Sequence, residues 1–206
     1  MRSYPRKGIL LEQNKEPGLS KEIRILPALP VERSELPGPV SSTPDLLAPY
    51  EIVSIAKEAN IVDEIDGQFH IRIVVDALDD EPYISSQLAP TLQFPEQLHQ
   101  GLRLALRAIG ASKSSIEIYR NLFDLDTRIP SSIMGVKVDR ISGSYPAESY
   151  ARRRLQRNST LVVGACALLF LQRAVYEGLR QTSAFVTVTG DCVANPGNYE
   201  VPLGVS

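Results

Sequence analysis

Apolar and polar positions repeat with two different periods along this chain, and the two periods alternate. Ile71–Val75 is a short β-branched run of the kind that forms a buried parallel strand, and Ser115–Tyr119 alternates like a second strand. Between them, apolar residues recur every three to four positions over Phe94–Ile109, and Gly110 follows as a stop signal. The pattern therefore predicts a helix between two strands.

The second half of the chain continues this alternation. We predict helices over 46–59 and over the apolar segment Ala165–Tyr176, and strands over Ile133–Val138 and Phe185–Thr189. Thr160–Val163 is either a further strand or the lead-in to the apolar helix. Strands separated by helices indicate an α/β fold, a layered domain with a largely parallel sheet flanked by helices.

The two ends of the chain differ from this centre. Eight of the fifteen prolines fall in the first fifty residues, and proline lacks a backbone donor, so we predict an extended proline-rich arm over 1–45 with one short strand at Ile23–Leu26. The α/β core then occupies 46–190. Near the C-terminus, Gly197–Asn198 is expected to form a turn between the strand Phe185–Thr189 and a further strand, Tyr199–Leu203. The sequence therefore predicts a C-terminal β-hairpin.

Composition and charge exclude several classes of function. The chain has 22 basic and 24 acidic residues and a formal charge of −2, so it lacks the basic excess that drives nucleic-acid binding. Its apolar runs are shorter than the ~18 residues that span a bilayer, so we expect no direct membrane insertion. Cys166 and Cys192 are the two cysteines. Iron–sulfur clusters normally take four thiolates, so we expect no cluster and no metal site.

An acidic loop, Asp79–Tyr83, follows the predicted strand Ile71–Val75. Ligands of open α/β sheets bind outside the carboxyl ends of strands, so this loop is a candidate cofactor or metal site. A solvated acidic loop with a proline turn explains the same residues, and because Mg²⁺ would also need substrate phosphates, we expect no metal site in this loop. His70 stands at the start of this strand, and its side chain is a candidate to reach the same edge of the sheet as Asp79.

Several blocks of this sequence resemble one known family. The longest is near the C-terminus, where Val186–Val193 and Pro196–Gly204 stand in succession. Upstream, Glu81–Pro82–Tyr83 follows a strand and precedes Phe94–Pro95–Glu96, and the arm contains Ile25–Pro30. In these blocks the chain resembles the RnfC family of the Rnf electron-transport complex, which is related to the NADH-binding flavoprotein of respiratory NADH dehydrogenase.

The resemblance implies an NADH- or flavin-linked oxidoreductase component of an electron-transfer complex, active together with its partner proteins. It implies FMN as the cofactor, with Asp80, Glu81, Pro82 and Tyr83 as its contacts. It also implies a cytoplasmic location, or one on the inner face of the cell membrane through other members of the complex. Residues 191–206 then correspond to the start of a truncated β-grasp-like domain.

The sequence departs from the family where the flavin is bound. The family has a glycine-rich loop against FMN, whereas Asp63–His70 here contains one glycine and three carboxylates. Glycine permits close backbone approach to a phosphate, and carboxylates repel it. The alternative is therefore a non-catalytic scaffold or assembly subunit that kept the fold and lost FMN and iron–sulfur binding.

Overall fold

The computed structural model of the chain describes most of the α/β core and parts of the arm. The described residues are 25–26, 30–37, 43–61, 65, 67–79, 84–119, 129–142 and 159–204.

Within the described residues, five strands form a central sheet. These are β2 (Arg72–Asp76), β3 (Lys113–Tyr119), β4 (Ser132–Ile133), β5 (Val136–Ile141) and β6 (Thr160–Gly164). Their order is β4-β5-β3-β2-β6, and every neighbouring pair is parallel except β4 with β5. The predicted largely parallel sheet is confirmed.

Three helices cover one face of this sheet. They are α1 (Pro49–Glu58), α3 (Pro95–Ile109) and α4 (Ala165–Glu177), and a shorter helix, α2 (Leu88–Gln93), precedes α3. Helix α3 ends as its sequence predicts, because Gly110 adopts the left-handed conformation at its C-cap. Apolar side chains of β2, β3 and β6 pack with these helices in one core. No helix in the described part of the chain is long and apolar enough to cross a membrane.

One sequence prediction in the sheet needs correction, and one alternative that the sequence left open is decided. The segment Ile133–Val138 is two antiparallel strands, β4 and β5, joined at Met134 and Gly135, which both have positive φ. The chain reverses there because Gly135 adopts this conformation without strain. Thr160–Val163 is a strand, since β6 pairs with β2 before α4 begins.

The C-terminal hairpin is confirmed, but its turn lies elsewhere. It consists of β7 (Ser183–Val188) and β8 (Gly197–Pro202), and β8 also pairs in parallel with β1 (Ile25–Leu26). Gly197 and Asn198, predicted as the turn, begin strand β8 opposite Val188 and Thr187. The Asn198 side chain is buried and accepts hydrogen bonds at Oδ1 from the hydroxyls of Ser85 (2.9 Å) and Thr187 (2.6 Å), so this asparagine fixes strand contacts.

A segment of the arm, residues 31–36, lies along the chain that links α4 to β7; we call it the strap. The Leu36 amide donates to the Gly178 carbonyl (2.7 Å), and the Arg180 amide donates to the Ser34 carbonyl (2.8 Å). The Thr182 hydroxyl donates to the backbone carbonyl of the strap at residue 32 (2.8 Å). The arm is therefore fastened to the core at this segment.

Candidate functional site

The carboxyl ends of β2, β3, β5 and β6 meet at one edge of the central sheet, which we call the carboxyl edge. The predicted flavin contacts Asp80, Glu81, Pro82 and Tyr83 come after β2 in the sequence and lie outside the described residues. The residues on both sides of them, up to Asp79 and from residue 84 onward, are described. These flanks are the parts of this connection whose contacts the structure describes.

Asp79 links the two flanks by hydrogen bonds. Its buried carboxylate accepts a hydrogen bond at Oδ1 from the Ser86 hydroxyl (2.7 Å) and another from the Gln87 amide (3.1 Å). On the other side of the same segment, the Ser85 amide donates to the Thr187 hydroxyl of the hairpin (3.0 Å). Residues 85–87 are thus bonded both to Asp79 and to the hairpin.

Gln87 then joins this connection to the start of α4. Gly164 is the N-cap of α4 and has no side chain to accept from the first amides of the helix. The Gln87 side chain supplies the missing acceptor, because its Oε1 receives the Cys166 amide (3.0 Å). Cys166 is half-buried, and its thiol donates a hydrogen bond to the Ser86 carbonyl (3.3 Å).

A row of carboxylates crosses the sheet on the face opposite the helices. Strand register places Asp76, Glu117 and Asp139 side by side on three adjacent parallel strands. Asp76 is 3% exposed and Glu117 is 5% exposed. Within the row, Asp76 accepts a hydrogen bond at Oδ1 from the Leu78 amide (3.0 Å). The sequence pattern does not reveal this row, because only Glu117 lies within a predicted strand, whereas Asp76 and Asp139 each come directly after one.

Asp139 is the most accessible carboxylate of the row. The Lys137 ammonium lies 2.5 Å from its Oδ1. Partial burial raises the pKa of Asp139, but hydrogen bonds and positive charge from neighbouring side chains, Lys137 foremost, outweigh that effect and leave the pKa below its ordinary value. Asp139 is therefore ionised at neutral pH.

His70 does not reach the carboxyl edge. It precedes β2, at the amino end of the strand, whereas Asp79 follows the carboxyl end. A strand rises about 3.3 Å per residue, so the five residues of β2 hold the two side chains far apart. The expectation that they share an edge was wrong. Among the described residues, no group of three or more histidine, cysteine or carboxylate side chains could hold a metal ion.

Around Gln87 and Cys166, the carboxyl edge offers no open backbone amide to an FMN phosphate. Phosphates in proteins are held by open backbone amides or by cationic side chains. Here the amides of Gln87 and Cys166 are already bonded within the protein, and the carboxylate that receives the Gln87 amide is the buried Asp79. A phosphate placed beside Asp79 would be repelled by that carboxylate.

The fold defines the class to which this chain belongs: α/β proteins with a mainly parallel sheet. No protein-family model and no curated protein matches the chain. Two crystal structures of an NAD+-reducing [NiFe]-hydrogenase are similar in fold. The air-oxidized state gives a TM-score of 0.57 at 19% identity, covering 82% of this chain and 41% of the hydrogenase chain. The H2-reduced state gives 0.57 at 18% identity, covering 82% and 42%.

The similarity concerns the fold, since fewer than one residue in five is identical. This chain spans about two fifths of the length of the hydrogenase chains. The similarity agrees with the α/β fold predicted from the sequence.

Proposed function

We propose that this chain is a subunit or domain of an electron-transfer complex and that it resembles the RnfC component of the Rnf complex. In this role it is an NADH- or flavin-linked oxidoreductase component, and other subunits of the complex are its partners. The supporting observation is the fold, a parallel α/β sheet similar to that of a hydrogenase that reduces NAD+. The blocks of sequence resemblance point to the same class.

The proposal assigns flavin contact to Asp80, Glu81, Pro82 and Tyr83. Their position in the sequence, directly after β2, corresponds to the edge at which α/β sheets bind ligands. The anchored flanks support this assignment, because Asp79 and Gln87 on either side are held by hydrogen bonds. An aromatic side chain such as Tyr83 suits contact with a flat ring system.

A second candidate function is a non-catalytic scaffold with the same fold and the same partners. One observation favours it: the polar groups described at the carboxyl edge satisfy one another. Asp79 is bonded to Ser86 and Gln87, and Gln87 is bonded to Cys166. A network that is closed in this way stabilises the fold without a cofactor.

Flavin titration separates the two candidates. The purified chain is titrated with FMN while flavin fluorescence is followed, and NADH-dependent reduction of an artificial acceptor is then assayed. The flavin-linked proposal expects saturable binding, and it expects Tyr83→Leu to weaken that binding at least tenfold. Tyr50→Leu is the matched control, because Tyr50 is 75% exposed on α1.

The titration separates the two candidate functions, and the variants test the assigned contact residues. Saturable FMN binding that depends on Tyr83, with NADH turnover, contradicts the scaffold. No binding up to about 1 mM FMN, which corresponds to less than ~4 kcal/mol, contradicts the flavin-linked role of this chain and leaves the scaffold. Equal weakening by Tyr83→Leu and Tyr50→Leu contradicts the assignment of the contact residues.

A further inference from the structure

The strap is held on the domain by few contacts. Among the described residues, three hydrogen bonds attach it, to Gly178, Arg180 and Thr182. None of its side chains is buried, and its apolar residues, Val31 and Leu36, are not among the residues that pack with the apolar core. A segment with few buried apolar contacts and with hydrogen bonds near the surface opens at a low free-energy cost.

The charged side chains of the strap add no attachment. Glu32, Arg33 and Glu35 are exposed, and no ion pair or side-chain hydrogen bond joins them to other residues that the structure describes. Pro30 and Pro37 border the strap, and proline has no amide hydrogen with which to extend the backbone pairing. The strap is therefore attached by one short set of backbone bonds and one threonine hydroxyl.

The elements next to the strap are held independently of it. Strand β1 precedes the strap and places Ile25 against the apolar core, and the Ile25 amide donates to Gln93 Oε1 (2.5 Å). The segment under the strap is bonded from its other side, because the Gln181 amide donates to the Ala59 carbonyl (2.9 Å). Gln181 itself is buried. The strap can therefore separate from residues 178–182 without disturbing β1 or α1.

The strap forms part of the wall of a cavity. The volume of this cavity is about 360 Å³, which is within the range of small-molecule sites. Val31 and Arg33 of the strap line it together with Leu169 and Phe170 of α4. Arg180, to which the strap is bonded, lines the cavity as well. Separation of the strap therefore removes part of the wall and opens the cavity.

We propose that the strap is a movable lid on this cavity. It separates from residues 178–182 as one segment and closes again, while β1, α4 and the hairpin stay folded. In the closed state the strap occupies the Gly178 carbonyl, the Arg180 amide and the Thr182 hydroxyl. In the open state these three groups lose their partners together and become accessible to water.

Amide hydrogen exchange on the full chain, followed residue by residue by NMR, tests the lid. Arg180 and Gln181 are neighbours, but the Arg180 amide is bonded to the strap and the Gln181 amide to Ala59. After correction for intrinsic rates, the Arg180 amide is expected to exchange at least about 100-fold faster than the Gln181 amide. The Leu36 amide is expected to be protected to the same degree as the Arg180 amide, because one opening frees both.

A disulfide that fastens the strap supplies a closed reference. Glu35 and Leu179 face each other in an antiparallel bridge, between the two backbone hydrogen bonds of the strap. The Cα atoms of such a pair lie about 4.5 Å apart, a spacing that a disulfide accepts. The variant Glu35→Cys/Leu179→Cys is made with Cys192→Ser, because Cys192 is exposed. Its oxidation is expected to slow exchange at Arg180 at least about tenfold and to leave Gln181 unchanged, and reduction is expected to reverse the effect.

A second variant carries the test if the disulfide does not form. Thr182→Val removes the side-chain hydrogen bond to the strap and keeps the shape of the side chain. It is expected to raise the exchange rates of the Arg180 and Leu36 amides about fivefold, which is the effect of one hydrogen bond. The rate of the Gln181 amide is expected to stay the same. Thr182→Ser keeps the hydroxyl and is the matched control, with rates close to those of the wild-type chain.

Three outcomes overturn the proposal. Equal protection of the Arg180 and Gln181 amides would show that the strap opens only when the domain unfolds. Exchange at Arg180 that is unaffected by oxidation of the disulfide would show that this amide exchanges without movement of the strap. An effect of Thr182→Ser as large as that of Thr182→Val would show that the hydroxyl does not hold the strap.

Discussion

Helices α3 and α4 approach each other closely at Gly101, and this contact gives a sharp test of the fold. A Cβ added at Gly101 would lie 2.0 Å from the Leu168 carbonyl oxygen and 2.7 Å from its carbonyl carbon. Both atoms belong to the backbone of α4, so no side-chain rotation can relieve the overlap. In Gly101→Ala, the two helices must separate by more than about 1 Å, which opens the packed core between them.

The expected cost follows from two opposing effects. Overpacking a core of this kind costs about 1–3 kcal/mol, and contact with rigid backbone places Gly101→Ala at or above the upper end. Alanine returns about 1 kcal/mol through its better helix propensity. We therefore expect the free energy of unfolding to fall by about 2 kcal/mol, measured by urea denaturation. Arg103→Ala, at an exposed position of α3, is the control and should change it by less than about 0.5 kcal/mol.

A Gly101→Ala variant as stable as the wild-type protein would refute the close approach of α3 and α4. A fall in stability shared equally by Arg103→Ala would point to a general weakness of α3 and would contradict the explanation by overlap.

Three further predictions concern hydrogen bonds that are at least partly buried. Burial raises the pKa of Glu200, but hydrogen bonds and charge from Arg173 and Ser183 outweigh burial and lower this pKa below the ordinary 4.5. The ionised carboxylate therefore contributes to the free energy of unfolding above pH 4.5, and this contribution is lost as the pH falls. Urea titrations below pH 4.5 should show a smaller loss of stability in Glu200→Gln than in the wild-type protein, and equal losses would contradict this. Gln87→Leu should cost about 1 kcal/mol by removing the acceptor of the Cys166 amide; an unchanged urea midpoint would show that this bond contributes nothing. Asn198→Ala should cost about 2 kcal/mol because two hydroxyl donors lose their acceptor, and a loss no larger than that of Gln87→Leu would contradict the shared role.

The regular elements could be predicted because their residues carry the pattern locally. Helix α3 shows its apolar stripe and its glycine stop within a short stretch of chain, and β2 is a continuous β-branched run. The hairpin turn could not be located in this way. Gly197–Asn198 has the composition of a turn, but Asn198 is placed in β8 by hydroxyl partners from Ser85 and Thr187, of which Ser85 is 113 residues away.

The polar features of the structure depend on contacts between distant segments. Asp76 and Glu117 are far apart in the sequence and become neighbours only through the register of β2 with β3. Gln172 appears in the sequence as one polar residue in an apolar helix, and nothing in the neighbouring sequence indicates that its oxygen lacks a donor among the described residues. Sequence patterns identify the helix and the strands, whereas the register and the packing decide which polar groups meet.

Helix α4 links the carboxyl edge to the strap, and its stiffness makes the tests of the two regions independent. Its first turn is bonded to the carboxyl edge through Cys166, and the strap is bonded to Gly178, about 18 Å further along the helix axis. Opening of the strap therefore leaves the contacts of Cys166 in place. Thr182→Val should leave FMN titration unchanged, and Tyr83→Leu should leave exchange at the Arg180 amide unchanged. If either variant changed both measurements, the two regions would not be separate, and a general effect on α4 would explain the changes better than loss of a contact.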